Sequence, residues 1–210
     1  MITYKIHLIR HGITDGNLQG KYIGVTDLPL SPDGVNELLE LKGLIEYPNV
    51  KKVYTSPLLR ARQSANILFG DTEQAAVDNL KEFNFGIFEN KTAAELENTP
   101  EYKDFISGKI PAPPEGEENA EFTKRICLGL NEMVNDMMKN GITNAAAVMH
   151  GGAIMMLLAA TALPRKHPAQ WTSDAGRGYT IMITPSLYHR TGAVEVIDII
   201  KRKRFLWVNF

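Results

Sequence analysis

The stretch Leu8-Ile9-Arg10-His11-Gly12-Ile13-Thr14, with Asn17 three residues on, decides how this chain is read. Lys5 to Arg10 is a short run, rich in Ile and Leu, of the kind that forms a buried strand. It closes on an arginine and a histidine, and the backbone then turns at Gly12. In an open α/β sheet, ligands sit at the carboxyl ends of the strands, so Arg10 and His11 are expected to face one pocket. Arginine offers a forked, permanently charged donor that fits phosphate, and histidine can serve as a nucleophile.

The same pattern recurs downstream. Lys52 to Thr55 reads as a second strand, followed by Ser56-Pro57-Leu58-Leu59-Arg60-Ala61. Ser56 suits an N-cap and Pro57 a first helical position, which puts Arg60 in the first turn of a helix running to about Phe69. A helix N-terminus favours anions, and Arg60 adds a formal charge there. Ala145 to Met149 is an apolar strand of small residues ending in His150-Gly151-Gly152, whose glycines allow close backbone approach. An apolar helix is expected from Ala153. Between these segments, Leu80 to Gly86 sets Glu82 among Phe83 and Phe85. Two arginines, two histidines and one glutamate, four of them at strand-to-helix junctions, make a coherent phosphate-handling set.

These segments resemble the histidine phosphatase superfamily, which includes the cofactor-dependent phosphoglycerate mutases. Its Arg-His-Gly-x-Thr-x-x-Asn opening matches Arg10, His11, Gly12, Thr14 and Asn17. Asp27-Leu28-Pro29-Leu30-Ser31-Pro32-Asp33-Gly34 matches a second segment, and Ser56 to Ala61 a third, which carries over Arg60 rather than Arg62. Glu82, Phe85, Gly86 and Glu89 match Glu-x-x-Phe-Gly-x-x-Glu, and His150 to Gly152 the late His-Gly-Gly. The resemblance implies one histidine phosphatase domain over residues 1–210, a three-layer α/β/α sandwich on a mostly parallel sheet. It also implies catalysis with neither metal nor other cofactor, and a structural position for Glu89.

Composition agrees. The 210 residues are long for one domain but fit a single α/β unit, and 44% hydrophobic content supplies a substantial core. A net charge of -1 gives no sign of nucleic-acid binding. The single cysteine, Cys127, excludes an intrachain disulfide and points to a reducing compartment. It lies on an amphipathic helix, where packing is its expected role. There is no signal-peptide core, and the longest apolar run, Ala153 to Leu163, is well short of the ~20 residues that span a bilayer. A cytoplasmic protein without membrane contact is expected.

Strands and helices alternate, which favours a parallel sheet covered on both faces. Ser31-Pro32 opens a helix with Leu38, Leu41 and Ile45 on its apolar side. Ala76 to Asp78 reads as a short strand, and Thr92-Ala93-Ala94-Glu95 as a capping box. Residues 108 to 118 form a Pro- and Gly-rich loop. A helix from Asn119 to Lys139 carries Phe122, Ile126, Leu130, Met133 and Met137 on one face. Tyr179 to Thr184 and Ala193 to Ile200 read as closing strands, as in a hairpin. The C-terminal Lys201-Arg202-Lys203-Arg204 with Phe205-Leu206-Trp207-Val208 suits a final strand or homodimer contact; a membrane-surface or partner contact is the other reading.

The implied chemistry assigns a role to each group. Arg10, Arg60 and His150 surround the non-bridging oxygens, each charge contact at ~4 Å being worth about 4 kcal/mol before desolvation at an effective dielectric near 20. His11 attacks phosphorus, and Glu82 protonates the leaving alkoxide. Thr14, Asn17 and backbone N–H groups near Gly151 add hydrogen bonds to phosphate. His7, His167 and His189 are expected in structural or solvent roles. Three departures from the family pattern bear on substrate: Ile13 where glutamate is common, Gly16 where tryptophan is common, and Ile23 where Gln, Thr or Cys is common. The expected activity is hydrolysis of a small phosphorylated metabolite. The segment after Glu82 and Tyr22-Ile23-Gly24 resemble α-ribazole-5′-phosphate phosphatases, and a general sugar or metabolite phosphatase is equally reasonable. A phosphoglycerate mutase-type phosphotransferase and a non-catalytic phospholigand-binding protein are the alternatives.

Overall fold

The computed structural model describes residues 2–200; the basic-aromatic C-terminal segment lies outside them. The strands are β1 (Tyr4–Arg10), β2 (Lys52–Thr55), β3 (Gln74–Ala76), β4 (Asn144–Met149), β5 (Ala162–Leu163), β6 (Gly178–Ile183) and β7 (Val194–Ile200). They form one sheet in the order β3-β2-β4-β1-β6-β7-β5. Four of the six neighbouring pairs are parallel, and β6 runs antiparallel to both β1 and β7. The helices are α1 (Asp15–Leu18), α2 (Pro32–Leu44), α3 (Leu59–Phe69), α4 (Ala93–Leu96), α5 (Pro100–Ile106), α6 (Asn119–Asn140), α7 (Gly151–Thr161) and α8 (Pro185–Thr191).

Strand side chains alternate between faces, and that period splits the core in two. Ile6, Leu8, Tyr54, Ala145, Ala147 and Met149 pack with α6, α7 and Tyr188 of α8. Ile9, Val53, Ala146 and Val148 pack with Leu38 and Leu41 of α2 and Ala61, Ala65 and Leu68 of α3. The result is a sheet between two helical layers, as the sequence implies. Phe122, Ile126, Leu130, Met133 and Met137 on α6 are all buried, and Cys127 packs half-buried beside them.

Local departures from the sequence reading have identifiable causes. Ser56 and Pro57 do not open α3: Leu58 is extended and the helix begins at Leu59. The Ser56 hydroxyl is engaged by His150 instead, and Asp27 Oδ1 accepts from the Leu59 N–H at 2.6 Å. A carboxylate from another segment thus caps the helix, and Arg60 still falls in the first turn. The short strand lies at Gln74–Ala76, where Val53 to Thr55 offer parallel partners. α7 starts at Gly151, two residues before the expected Ala153. β6 and β7 pair antiparallel, but α8 lies between them in the chain, so they are no tight hairpin. Ser31 does cap α2, accepting from Gly34 N at 3.0 Å, and the Thr92 capping box is present.

Sheet register builds the floor of the site. Arg10 lies opposite Met149 in the parallel β1–β4 pair, so His11 and His150, the next residues, emerge side by side. Thr55 lies opposite Val148, which brings Ser56 to the same edge.

Candidate active site

The strand-end cluster opens into a cavity of about 460 Å³ lined by Arg10, His11, Asn17, Glu82, Gly151 and mostly apolar side chains. That volume suits a small metabolite.

His11 is almost fully buried, and its Nδ1 lies 2.5 Å from the Gly12 carbonyl. A carbonyl only accepts, so Nδ1 carries the proton and Nε2 keeps its lone pair. Arg60 Nε donates to that Nε2 at 3.2 Å. Burial, and next the Arg60 guanidinium, pull the ring's pKa down to about 3, against the Gly12 hydrogen bond. The imidazole is therefore neutral at ordinary pH, as a nucleophile must be.

His150 stands edge-on to His11, ring centroids 5.0 Å apart. Its Nε2 is 2.8 Å from Ser56 Oγ, while its buried Nδ1 has no partner. Ser56 Oγ also accepts from Leu58 N at 3.3 Å. A Ser56 hydroxyl that donates to Nε2 puts the ring's proton on Nδ1, where it is an unused donor beside His11. Burial above all, with His11 and Arg60 adding to it, holds His150 well below the usual range.

Glu82 lines the same cavity. Its carboxylate accepts from the N–H groups of Phe83 and Gly152, both at 2.9 Å. Burial pushes the carboxyl above its ordinary value, outweighing those bonds and the pull of Arg60 and Arg10. A Cβ at Gly152 would stand 2.6 Å from Glu82 Oε1, so the second glycine makes room for this carboxyl.

The two arginines are placed differently. Arg10 lines the cavity, with one guanidinium nitrogen held by the Ser173 carbonyl at 2.8 Å. Arg60 is wholly buried behind His11 and does not line the cavity; its terminal nitrogens donate to the carbonyls of Thr26 and Gly24 at 2.8 and 2.6 Å. Glu89 holds that loop from the other side, accepting from the N–H groups of Gly24, Val25 and Thr26 and from the Thr26 hydroxyl. Thr14 is also buried, off the cavity wall: it shares a capping box with Asn17. Asn17 Oδ1 is committed to that turn, which leaves Nδ2 to face a ligand. Among the described residues, no group of three or more His, Cys, Asp or Glu is placed to hold a metal ion, and no helix is long and apolar enough to cross a membrane.

Several features had no local signal. Ser173 Oγ is buried without a partner, in a loop that reads as plain polar sequence. Arg125 and Glu117 form a two-bonded ion pair, and Arg125 also donates to the carbonyls of Asn79, Lys81 and Glu82, fixing the segment that carries the acid. Two of the departures from the family pattern are one packing change. Ile23 fills the space where a Gly16 Cβ would come within 2.6 Å of it. His7 bonds Thr180 and Asn144, and His167 caps a short 3₁₀ turn, both away from the cavity.

Known proteins resemble this chain in sequence and fold. A broadly matching relative is the phosphatase PhoE of Bacillus subtilis, 34% identical over 153 residues, 72% of this chain and 74% of that one. An adenosylcobalamin/alpha-ribazole phosphatase of Salmonella typhimurium is 28% identical over 160 residues, 74% and 78% of the two chains. The sedoheptulose 1,7-bisphosphatase of Saccharomyces cerevisiae is 30% identical over 110 residues, a match spanning 45% of this chain and only 41% of that protein. The crystal structure of the alpha-ribazole phosphatase from Shigella flexneri superposes with a TM-score of 0.77 at 22% identity, over 94% of this chain and 96% of that one, a likeness of fold. The family description Histidine phosphatase superfamily (branch 1) covers residues 6–186. A phosphatase of the histidine phosphatase superfamily is thus what this chain is, with the strand-end histidines at the place where its sheet opens.

Proposed function

We propose that the chain, acting as one domain, hydrolyses a phosphate monoester of a small metabolite through a phosphohistidine on His11. The observation that carries this is the pairing of a buried, neutral His11 whose lone pair sits on Nε2 with a buried Glu82 biased toward its protonated form. Phosphoryl transfer needs positioning and charge stabilisation more than covalent ingenuity. Arg10, Asn17 Nδ2 and the Gly151 N–H, on the cavity wall with His11, are assigned as phosphate donors, and the unpartnered His150 Nδ1 behind that wall as a further one. Arg60 Nε is held by the His11 lone pair. That bond fixes the ring's orientation, and Nε2 attacks once the Arg60 N–H moves off its lone pair.

The first step forms N–P and breaks P–O, and the Glu82 proton passes to the departing alkoxide. A phosphate dianion beside Glu82 raises its proton affinity further, so the acid holds its proton when it is needed. In the second step water attacks phosphorus, Glu82 carboxylate takes its proton, N–P breaks and His11 regains its lone pair. Neither step is assigned to a metal or other cofactor. The α-ribazole 5′-phosphate reading draws support from the Salmonella relative and from the Tyr22-Ile23-Gly24 resemblance.

The test is release of phosphate from phosphorus-labelled p-nitrophenyl phosphate in EDTA, with an alkaline denaturing quench to trap labelled enzyme. Turnover with an acid-labile, base-stable phosphoenzyme, both lost in His11→Ala, is the expected result. Turnover that survives His11→Ala overturns the phosphohistidine.

A further inference from the structure

We infer that the alcohol carrying the phosphate is uncharged and bears a flat apolar ring, and that the enzyme is built against bisphosphates and phosphoglycerates. This rests on the hydrolase reading and deepens it. Beyond the reaction centre the cavity is walled by Tyr22, Phe83, Phe85, Phe105, Met155 and Met156. The rings pack in a row: Tyr22 tilted against Phe85 at 5.0 Å, then Phe85 to Phe83 at 5.0 Å and Phe83 to Phe122 at 5.3 Å, both edge to face. Such a wall loses little conformational freedom when it meets another ring.

The one phenol in it already has a partner for its hydroxyl. Tyr22 OH is bonded to Tyr102 OH at 2.8 Å, and burial together with that bond pushes its pKa up to about 12. Met155 and Met156, on the first turns of α7, add polarizable thioethers that pack against aromatic faces. Charge is scarce in the same space. Apart from Arg10, Lys21 is the only Lys or Arg among the described cavity residues, with Asn119 as one further polar group at α6. A second phosphate or a glycerate carboxylate would find one lysine as its only further cation, with Asn119, Thr172 and Ser173 as neutral polar partners, among side chains that are mostly hydrocarbon. Burying an anion with so few partners is unfavourable, whereas an apolar ring is drawn in.

The experiment compares substrates whose leaving groups are chemically alike, so that only the wall distinguishes them. After p-nitrophenyl phosphate establishes turnover, kcat/KM is measured for 2-phenylethyl phosphate, ethyl phosphate, 3-phosphoglycerate and fructose 1,6-bisphosphate. The phenylethyl ester is expected to exceed ethyl phosphate by ~10-fold or more, as burial of one ring requires, and to exceed both anionic substrates by more. Phe105→Ala and Met156→Gln, changes at two separate half-buried positions, should each bring the phenylethyl-to-ethyl ratio down at least threefold. A ratio near 1, or preference for 3-phosphoglycerate or the bisphosphate, overturns the inference and leaves the hydrolase standing. No turnover of any ester, p-nitrophenyl phosphate included, overturns the hydrolase reading and the inference with it.

Discussion

The floor of the site and its outer wall are made by different means. The floor is set by sheet register: β2, β4 and β1 end together, and the residue after each strand is Ser56, His150 and His11. Much of the wall comes from short pieces, the turns around Tyr22 and Phe85 and the brief α5, stitched by ring contacts among Phe88, Tyr102 and Phe105, while Met155 and Met156 come from α7. Moving a floor residue means moving a strand in the core. Moving Tyr22, Phe85 or Phe105 means repacking partly buried rings between the small Phe88 cluster and the edge of the core. Chemistry therefore belongs to the rigid part and substrate choice to the adaptable part.

The sharpest way to break this division is His11→Ala. Loss of a nucleophile should lower kcat on p-nitrophenyl phosphate by ~10⁴-fold or more, against a change confined to substrate preference for Phe105→Ala. A wall variant that abolished turnover on every ester would show that the two regions are not separable.

Glu82→Gln comes next. On ethyl phosphate, whose alkoxide needs a proton, kcat/KM, which reports the first step, should fall ~10²–10³-fold; on p-nitrophenyl phosphate, whose leaving group needs little help, less than about tenfold. The pH profile has a defined sign. His11 is already neutral above about pH 3. The wild-type rate on ethyl phosphate should therefore hold at mildly acidic pH and decline as rising pH removes the Glu82 proton. Equal losses on both esters would take the acid role away from Glu82.

Much of the floor was legible in the sequence, and for a physical reason. Strand-then-glycine segments are local signals, so Arg10-His11-Gly12 and His150-Gly151-Gly152 announce themselves without knowledge of the fold. What stayed hidden depends on partners far along the chain. Ser56-Pro57 has every mark of an N-cap, yet the serine is taken by a histidine 94 residues later and Asp27 caps the helix from 32 residues earlier. Arg60 reads as a phosphate ligand, and only the fold shows its terminal nitrogens held by Gly24 and Thr26. In the wall, aromatic residues are visible as letters, but which of them meet is decided by loops with no periodicity.

Ser56→Ala probes that hidden layer with an effect between those of the catalytic groups and the wall. Without the hydroxyl, His150 Nε2 loses the proton donor that fixes its tautomer, and Nδ1 is no longer assured as a donor. A fall in kcat/KM of about tenfold is expected, the order of one misdirected hydrogen bond to an anion. Ser56→Thr should restore most of it. Nitrogen NMR of the histidine rings separates positioning from mere packing: the Nδ1-protonated form of His150 should be lost in Ser56→Ala and regained in Ser56→Thr. An unchanged tautomer with reduced activity would make Ser56 a packing residue.

The smallest effect concerns stability, and it places a cost on the floor alone. Folded His11 keeps a pKa of about 3 against an ordinary 6.5, so between those values the unfolded chain binds a proton that the folded chain refuses. Stability then rises with pH across that window and is lost on acidification, by at most about 1.4 kcal/mol per pH unit for one such group. Glu82 acts in the opposite sense: folded, it holds its proton above the ordinary 4.5, so its share of stability is present at low pH and fades as pH rises. Denaturant midpoints from pH 4.5 to 6.5 should rise less steeply in His11→Ala than in the wild type, and more steeply in Glu82→Gln. His150, also held neutral, keeps some slope in both. Phe105→Ala shifts every midpoint by a similar amount and leaves the slope alone, because the wall contributes no titrating group to this window. Parallel curves for His11→Ala and wild type would mean that the buried imidazole finds a proton after all, and with it the strand-end cluster would lose the neutral nucleophile on which its chemistry depends.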